Sequence, residues 1–261
     1  MAAEGKETKN PVQSAERIFQ VLEMLAENGE MGLMEISAAL NLHKSTVHRL
    51  LMSLVYMGYA KQDETNQKYM LSYKIVNMAG KILDRMDILK IARPYMDRLS
   101  DISGETVHLV QREGKNILYI YKAEAKVGSI RMVSHVGMVH PMYCSGVGKA
   151  IMATLDESEV KQIWNESIIE KKTEKTITDL GEMMQILEKV KENGYALDDE
   201  ENEEGVRCIA ACLRDYSGEV RYAFSVSGPV SRMTKERVLE LSADVRKVQK
   251  ELSEELGAYH V

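Results

Sequence analysis

Cysteine is scarce in this chain of 261 residues: Cys144, Cys208 and Cys212 are the whole set. An odd, sparse set excludes a disulfide framework. No Cys-x-x-Cys pair occurs, and no histidine cluster accompanies Cys208 and Cys212, so neither a metal nor any cofactor is expected. Long apolar runs are lacking as well. None approaches the roughly 20 residues needed to span a bilayer, and Met1 to Pro11 has no apolar core of a secretory signal. A cytoplasmic protein without a membrane partner is expected. Low-complexity segments and internal repeats are absent too.

Net positive charge is also missing. The formal charge is −6, which suits DNA poorly unless the charge is unevenly spread. It is unevenly spread. Residues 42–74 carry Lys44, Arg49, Lys61, Lys68 and Lys74 against Asp63 and Glu64 alone. Hydrophobic residues make up 44% and charged residues 28%, the balance of a folded chain, and the length suits two domains.

The periodicity of the first part predicts a helix over 14–28, with Ile18, Val21, Leu22 and Leu25 on one stripe. A short helix around Ile36, a turn at Asn41-Leu42 and a helix from Lys44 to Gly58 follow. Two short strands around 59–61 and 68–71 then form a hairpin. Helix, helix, turn, helix, hairpin is the order of a winged helix-turn-helix. In such a unit the third helix lies in the major groove. Val47, Leu50 and Leu51 would face the core, leaving Lys44, Ser45, Thr46, His48 and Arg49 for phosphates and base edges. Lys61 and Lys68 on the hairpin would reach neighbouring phosphates. Methionine is abundant, 17 in all, and Met52, Met57, Met78 and Met86 are expected as adaptable core fillers.

Residues 73–90 read as a connecting helix and 91–103 as another. Beyond Thr106 the period shortens to that of strands, expected near 106–110, 117–121, 129–133, 195–197, 207–213 and 222–227. Asp156 with Glu159, and Asp179 with Glu182, have capping-box spacing. Thr234 to Leu256 closes the chain as a helix. Strands and helices mix without regular alternation, so an antiparallel α+β domain is expected.

Three segments of this part could carry chemistry. Ser145-Gly146-Val147-Gly148-Lys149 resembles a phosphate loop only superficially, because Tyr143 and Ala150 stand where glycine and Ser/Thr are required. What remains is a glycine turn before an apolar helix over 150–155, whose free N–H groups suit a carboxylate. Asp198-Asp199-Glu200-Glu201-Asn202-Glu203-Glu204 has the composition of a solvated loop and lacks calcium-loop spacing. Ser225 and Ser227 share one face of a strand and could hold a polar ligand or simply neighbouring backbone.

Residues 12–82 resemble the DNA-binding half of IclR-type transcriptional regulators, through Ser45-Thr46-Val47-His48-Arg49-Leu50-Leu51, Gly58-Tyr59 and Tyr69-x-Leu71. Residues 100–257 resemble the effector domain of the same family. The resemblance implies a mixed fold: an α-rich winged helix-turn-helix domain (1–72), a helical linker (73–90) and an α+β, GAF-like effector-binding domain (91–261). It implies a DNA-binding regulator, expected to be a repressor and not an enzyme. Its partners would be double-stranded operator DNA, a small carboxylate effector and further copies of itself, as a homodimer or a dimer of dimers. It also implies an effector site in which Gly146 and Val147 bind the carboxylate through their N–H groups. Asp198, Cys208, Ser225 and Ser227 would line that site, with Met132 and His140 at its wall. His140 departs from the aliphatic residue the pattern favours.

The cysteine-to-serine stretch looks like regulators that sense glyoxylate or pyruvate. Lys175-Thr176-Ile177-Thr178 and Glu203-Glu204-Gly205 look equally like a ketodeoxygluconate-sensing branch. All three effectors are 2-oxo acids. Two other classes stay open at this point. One is an enzyme of small carboxylates using Cys208 or Cys144 with His140 as base; the other is a winged helix that binds protein.

Overall fold

The computed structural model describes residues 10–83, 87–124 and 134–258. The chain divides into two compact units, Met1–Met86 and Asp87–Val261.

In the first unit, α1 (Gln13–Asn28), α2 (Leu33–Ala39) and α3 (Lys44–Tyr56) precede a hairpin of β1 (Ala60–Gln62) and β2 (Tyr69–Leu71). Met31 bridges Tyr69 through two backbone bonds of 2.9 and 2.8 Å, which ties the start of α2 to the hairpin. The core is the stripe the period predicts: Val21 and Leu25 of α1, Ile36 of α2, and Val47, Leu50, Leu51 and Leu54 of α3. Asn41 turns the chain between α2 and α3 with φ 51°, a left-handed conformation that asparagine tolerates better than most residues. Gly58, at φ 75°, ends α3. Lys74 then reaches back to the Met57 carbonyl at 2.7 Å and lies over the Tyr59 ring.

The methionines do not fill the core as their spacing suggests. Met52, Met57 and Met78 are exposed, because they fall beside the buried stripe of α3 or on α4 (Lys74–Leu83), not on the core face. Met86 lies outside the described residues. Residues 73–90, expected as one helix, hold α4 and the first turn of α5, which runs from Ile88 to Ser103 with Asp87 as its N-cap.

The second unit is built on an antiparallel sheet of β3 (Thr106–Glu113), β4 (Asn116–Ala123), β5 (Val139–Pro141), β6 (Ala196–Asp199), β7 (Val206–Arg214) and β8 (Val220–Pro229). Among the described residues the strand order is β5-β4-β3-β8-β7-β6. One face packs on α5 and the closing helix α9 (Lys235–Glu255) through Leu109, Ile209, Ala211, Phe224 and Val226. The opposite face carries α6 (Gly146–Met152), α7 (Glu157–Glu166) and α8 (Leu180–Asn193) over Val110, Ile117, Ala196, Ala210 and Ala223. Alternation along each strand separates the two cores. The strand expected over 129–133 lies outside the described residues, and β5 was not foreseen.

Two local expectations change. Asp156 makes no side-chain cap to α7: the Glu159 N–H donates to the Asp156 carbonyl at 3.0 Å, and the Glu159 side chain turns to Arg112; Asp179 does cap α8, accepting from the Glu182 N–H at 2.8 Å. The helix expected over 150–155 begins earlier, at Gly146, so both glycines lie in its first turn. Gly148 explains why. A Cβ there would sit 2.2 Å from the Met142 carbonyl oxygen, so only glycine lets α6 start against the incoming chain. Gly148→Ala is expected to destabilise the protein by roughly 1–3 kcal/mol, since overpacking against backbone has no cheap relaxation. Denaturant unfolding checks this.

Candidate functional site

On α3 the side chains expected to meet DNA divide by position. His43, Lys44, Ser45, His48 and Arg49 are exposed, whereas Thr46 is half-buried beside Val47. His43, the N-cap residue, makes no side-chain cap, so the first turn keeps free N–H groups that suit phosphate. Lys61 is exposed on β1. Lys68 is half-buried and lies 3.9 Å from Glu35, so it meets a phosphate only in competition with that carboxylate. The loop between β1 and β2 is braced by Asp63, which accepts from Thr65 N–H at 2.7 Å and from Asn66 N–H at 3.3 Å.

In the second unit an enclosed cavity of about 80 Å³ lies between the start of α6 and the sheet. Strand pairing assembles its floor. Asp198 of β6 pairs with Cys208 of β7, and Cys208 pairs with Ser227 of β8. Two residues along, Ser225 pairs with His108 of β3. The serine hydroxyls lie 3.3 Å apart, and Ser227 Oγ is 3.4 Å from His108 Nδ1. His108 Nε2 is 2.7 Å from Ser134 Oγ, and its ring meets Tyr119 edge-on.

The roof is the first turn of α6. Ser145 caps it by accepting the Gly148 N–H at 3.1 Å. The N–H groups of Gly146 and Val147 have no acceptor among the described residues. A Cβ at Gly146 would sit 3.3 Å from Ala210 Cβ and 3.5 Å from Asp198 N, so the turn lies directly on β6 and β7.

The acidic run departs from a solvated loop. Asp198 and Glu201 are buried. Lys149 of α6, only 1% exposed, donates to both carboxylate oxygens of Glu201. Glu201 N–H then donates to Asp198 Oδ1 at 2.9 Å, and Thr176 Oγ1 donates to the Glu201 carbonyl at 2.6 Å. Asp199 holds Arg207, and Glu200, at φ 64°, holds Lys175 and the Gly205 N–H. Asp199, Glu200 and Glu201 have partners on other elements, which draws the start of the run inward, while Glu203 and Glu204 are exposed.

Of the residues expected at the effector site, Gly146, Val147, Asp198, Cys208, Ser225, Ser227 and His140 all line this cavity. Met132 lies outside the described residues. Sequence reasoning missed His108, Tyr119, Ser134, Asn202 and Glu203, which line it as well, and Lys149, which anchors it. His108 was legible as a polar residue on the same face as the serine pair; Lys149 was visible only as a failed phosphate-loop lysine.

Burial sets the protonation of the site. It lowers His108 to about 3 and His140 to about 4, so both imidazoles are neutral at pH 7. Burial, and then the Glu201 charge, raises Asp198 to about 7. His140 Nε2 lies 3.5 Å from Cys144 Sγ, yet burial pushes that thiol up to about 11. Burial likewise drives the Cys208 thiol up. A nucleophilic pair needs the thiolate and a basic imidazole, the reverse of both shifts. Among the described residues no cluster of three or more His, Cys, Asp or Glu could hold a metal ion, and no helix is long and apolar enough to cross a membrane.

Residues 14–64 match the IclR helix-turn-helix domain, and residues 80–254 match the bacterial transcriptional regulator IclR C-terminal domain. The chain belongs to the IclR family of bacterial transcriptional regulators. It is 35% identical to the HTH-type transcriptional regulator KdgR of Escherichia coli K12, over 95% of this chain and 94% of that one. It is 36% identical to the DNA-binding transcriptional repressor YiaJ of the same organism, over 98% and 92%. The crystal structure of Thermotoga maritima IclR superposes with a TM-score of 0.63 at 31% identity, covering 94% of this chain and 98% of that one. As an IclR-family member the protein is a DNA-binding transcription regulator with an effector-binding C-terminal domain, not an enzyme.

The Asp198 shift has a stability consequence with a definite sign. A carboxyl raised above its unfolded value loses stability as pH rises from about 4 to about 7. Asp198→Asn mimics the protonated form. The stability of the variant relative to the native protein is therefore expected to grow over that interval and level off above about pH 7. Paired melting curves against pH check it.

Proposed function

We propose that the cavity beneath α6 is the effector site of an operator-binding repressor, and that its ligand is a small 2-oxo acid. One observation carries the reading: unpaired N–H groups of Gly146 and Val147 converge with the Ser225 and Ser227 hydroxyls on one enclosed space. Backbone N–H groups at a helix start bind a carboxylate, and paired hydroxyls bind a carbonyl or hydrated carbonyl. Asp198, Cys208 and His140 complete the polar wall, and the expected role of Met132 remains part of the proposal. A cavity of about 80 Å³, well below the roughly 300 Å³ of drug-sized pockets, suits a small acid.

Lys44, Ser45, Thr46, His48 and Arg49 read the operator, with Lys61 and, less strongly, Lys68 on flanking phosphates. The protein acts in the cytoplasm as a homodimer or dimer of dimers, because two-fold symmetry matches a near-palindromic site. Effector must favour one conformation to change DNA affinity, and DNA must then change effector affinity by the same factor.

Fluorescence anisotropy with labelled DNA from upstream of the protein's own gene tests the reading. Glyoxylate or pyruvate is expected to weaken binding, and Ser227→Ala to reduce that response at least several-fold. A protein whose DNA affinity ignores every 2-oxo acid would count against it. A salt titration tests the DNA face separately. Lys44→Ala and Arg49→Ala are each expected to lower the slope of log affinity against log salt by about 1, and Lys68→Ala by less.

A further inference from the structure

The cavity must accept an anion although it holds no cation of its own. Among the described residues its wall carries two carboxylates, Asp198 and Glu203, and neither lysine nor arginine. Two of the surrounding lysines are bonded to other groups: Lys149 to both oxygens of Glu201, and Lys122 to Glu124 and the Ser134 carbonyl. The charge of a third, Lys172, is felt at His140 and Cys144 on one side of the cavity, and no bond joins it to Asp198.

The groups facing Asp198 come from every side of the cavity. Lys149 faces it from α6, Glu201 from the turn after β6, Cys208 from β7, Tyr119 from β4, and Cys144 from the segment before α6. Burial holds both thiols, the phenol and the imidazoles of His108 and His140 in their neutral forms at pH 7. The Lys149–Glu201 pair sums to no net charge and Glu203 is exposed, which leaves Asp198 as the buried carboxyl of this wall with no cation bonded to it among the described residues. Adding a ligand carboxylate would place two negative charges in one buried space. Carboxylates so placed share a proton, because both cannot stay ionised.

We infer that the effector carboxylate enters this cavity together with one proton, which resides on Asp198 and makes that side chain a hydrogen-bond donor to the ligand. This rests on the carboxylate reading of the site given above. The bond is an O–H···O contact from the Asp198 carboxyl to a ligand oxygen, while Gly146 and Val147 N–H groups take the rest of the charge. Binding would then be linked to pH. With burial raising Asp198 to about 7, affinity is expected to fall by up to about tenfold for each pH unit above that point and to change little below it.

Isothermal titration of glyoxylate and of pyruvate into the full chain tests this, at about pH 8 and about pH 6, each in phosphate and in imidazole. The two buffers differ in ionisation heat, so the difference in observed heat counts protons. Expected are uptake approaching one proton at the higher pH, uptake near zero at the lower, and loss of the uptake in Asp198→Asn. Binding without proton uptake at the higher pH overturns the inference alone, because a protein cation then balances the ligand. Uptake that persists in Asp198→Asn also overturns it, and assigns the proton to His108 or His140. Absence of binding by both acids at both pH values overturns the carboxylate reading and the inference together.

Discussion

The buried contact between Lys149 and Glu201 organises the second unit. Removing two charges from water is costly, and the attraction between them offsets that cost only where the geometry is good and the remaining polar atoms are satisfied. Both conditions hold. Lys149 meets both carboxylate oxygens, and the Glu201 backbone is held on one side by Asp198 and on the other by Thr176. The pair joins α6 to the turn after β6, and so fixes the two edges of the cavity relative to each other. It also takes up the charge of Lys149, the cation that acts on Asp198. The same contact that shapes the site thus leaves its carboxyl uncompensated.

The sheet supplies the rest by alternation. Even-numbered positions of β7 and β6, with odd positions of β8, face α6. They are apolar where α7 and α8 cover them and polar where the first turn of α6 opens above them. Gly148 sets that opening, since any side chain there would drive α6 away from Met142. Paired strands form the floor of the cavity and unpaired N–H groups its roof. Its influence on DNA is a matter of differential affinity between states, which binding energies alone can express.

Much of this was legible in the chain itself. The stripe at 47, 50, 51 and 54 located α3, and the short hairpin after it distinguished a winged helix from a plain three-helix unit. Ser225 and Ser227 could be placed on one strand face by period alone. The acidic run misled, because composition describes an average loop, while Lys149, Thr176, Arg207 and Lys175 come from elements remote in sequence and turn it inward. The methionines misled for a related reason: near-helical spacing does not decide which face is covered. The Asp156–Glu159 spacing was overridden by Arg112, a tertiary partner invisible to local pattern. β5, three residues ending in proline, is too short for periodicity to register.

A crystal structure of the protein with glyoxylate decides whether the cavity beneath α6 is the effector site. The ligand carboxylate is expected within about 2.7–3.2 Å of the Gly146 and Val147 nitrogens, with another ligand oxygen against Ser225 or Ser227 and one at Asp198. Glyoxylate bound elsewhere on the molecule, with this cavity unchanged and empty of it, would place the effector site outside the cavity.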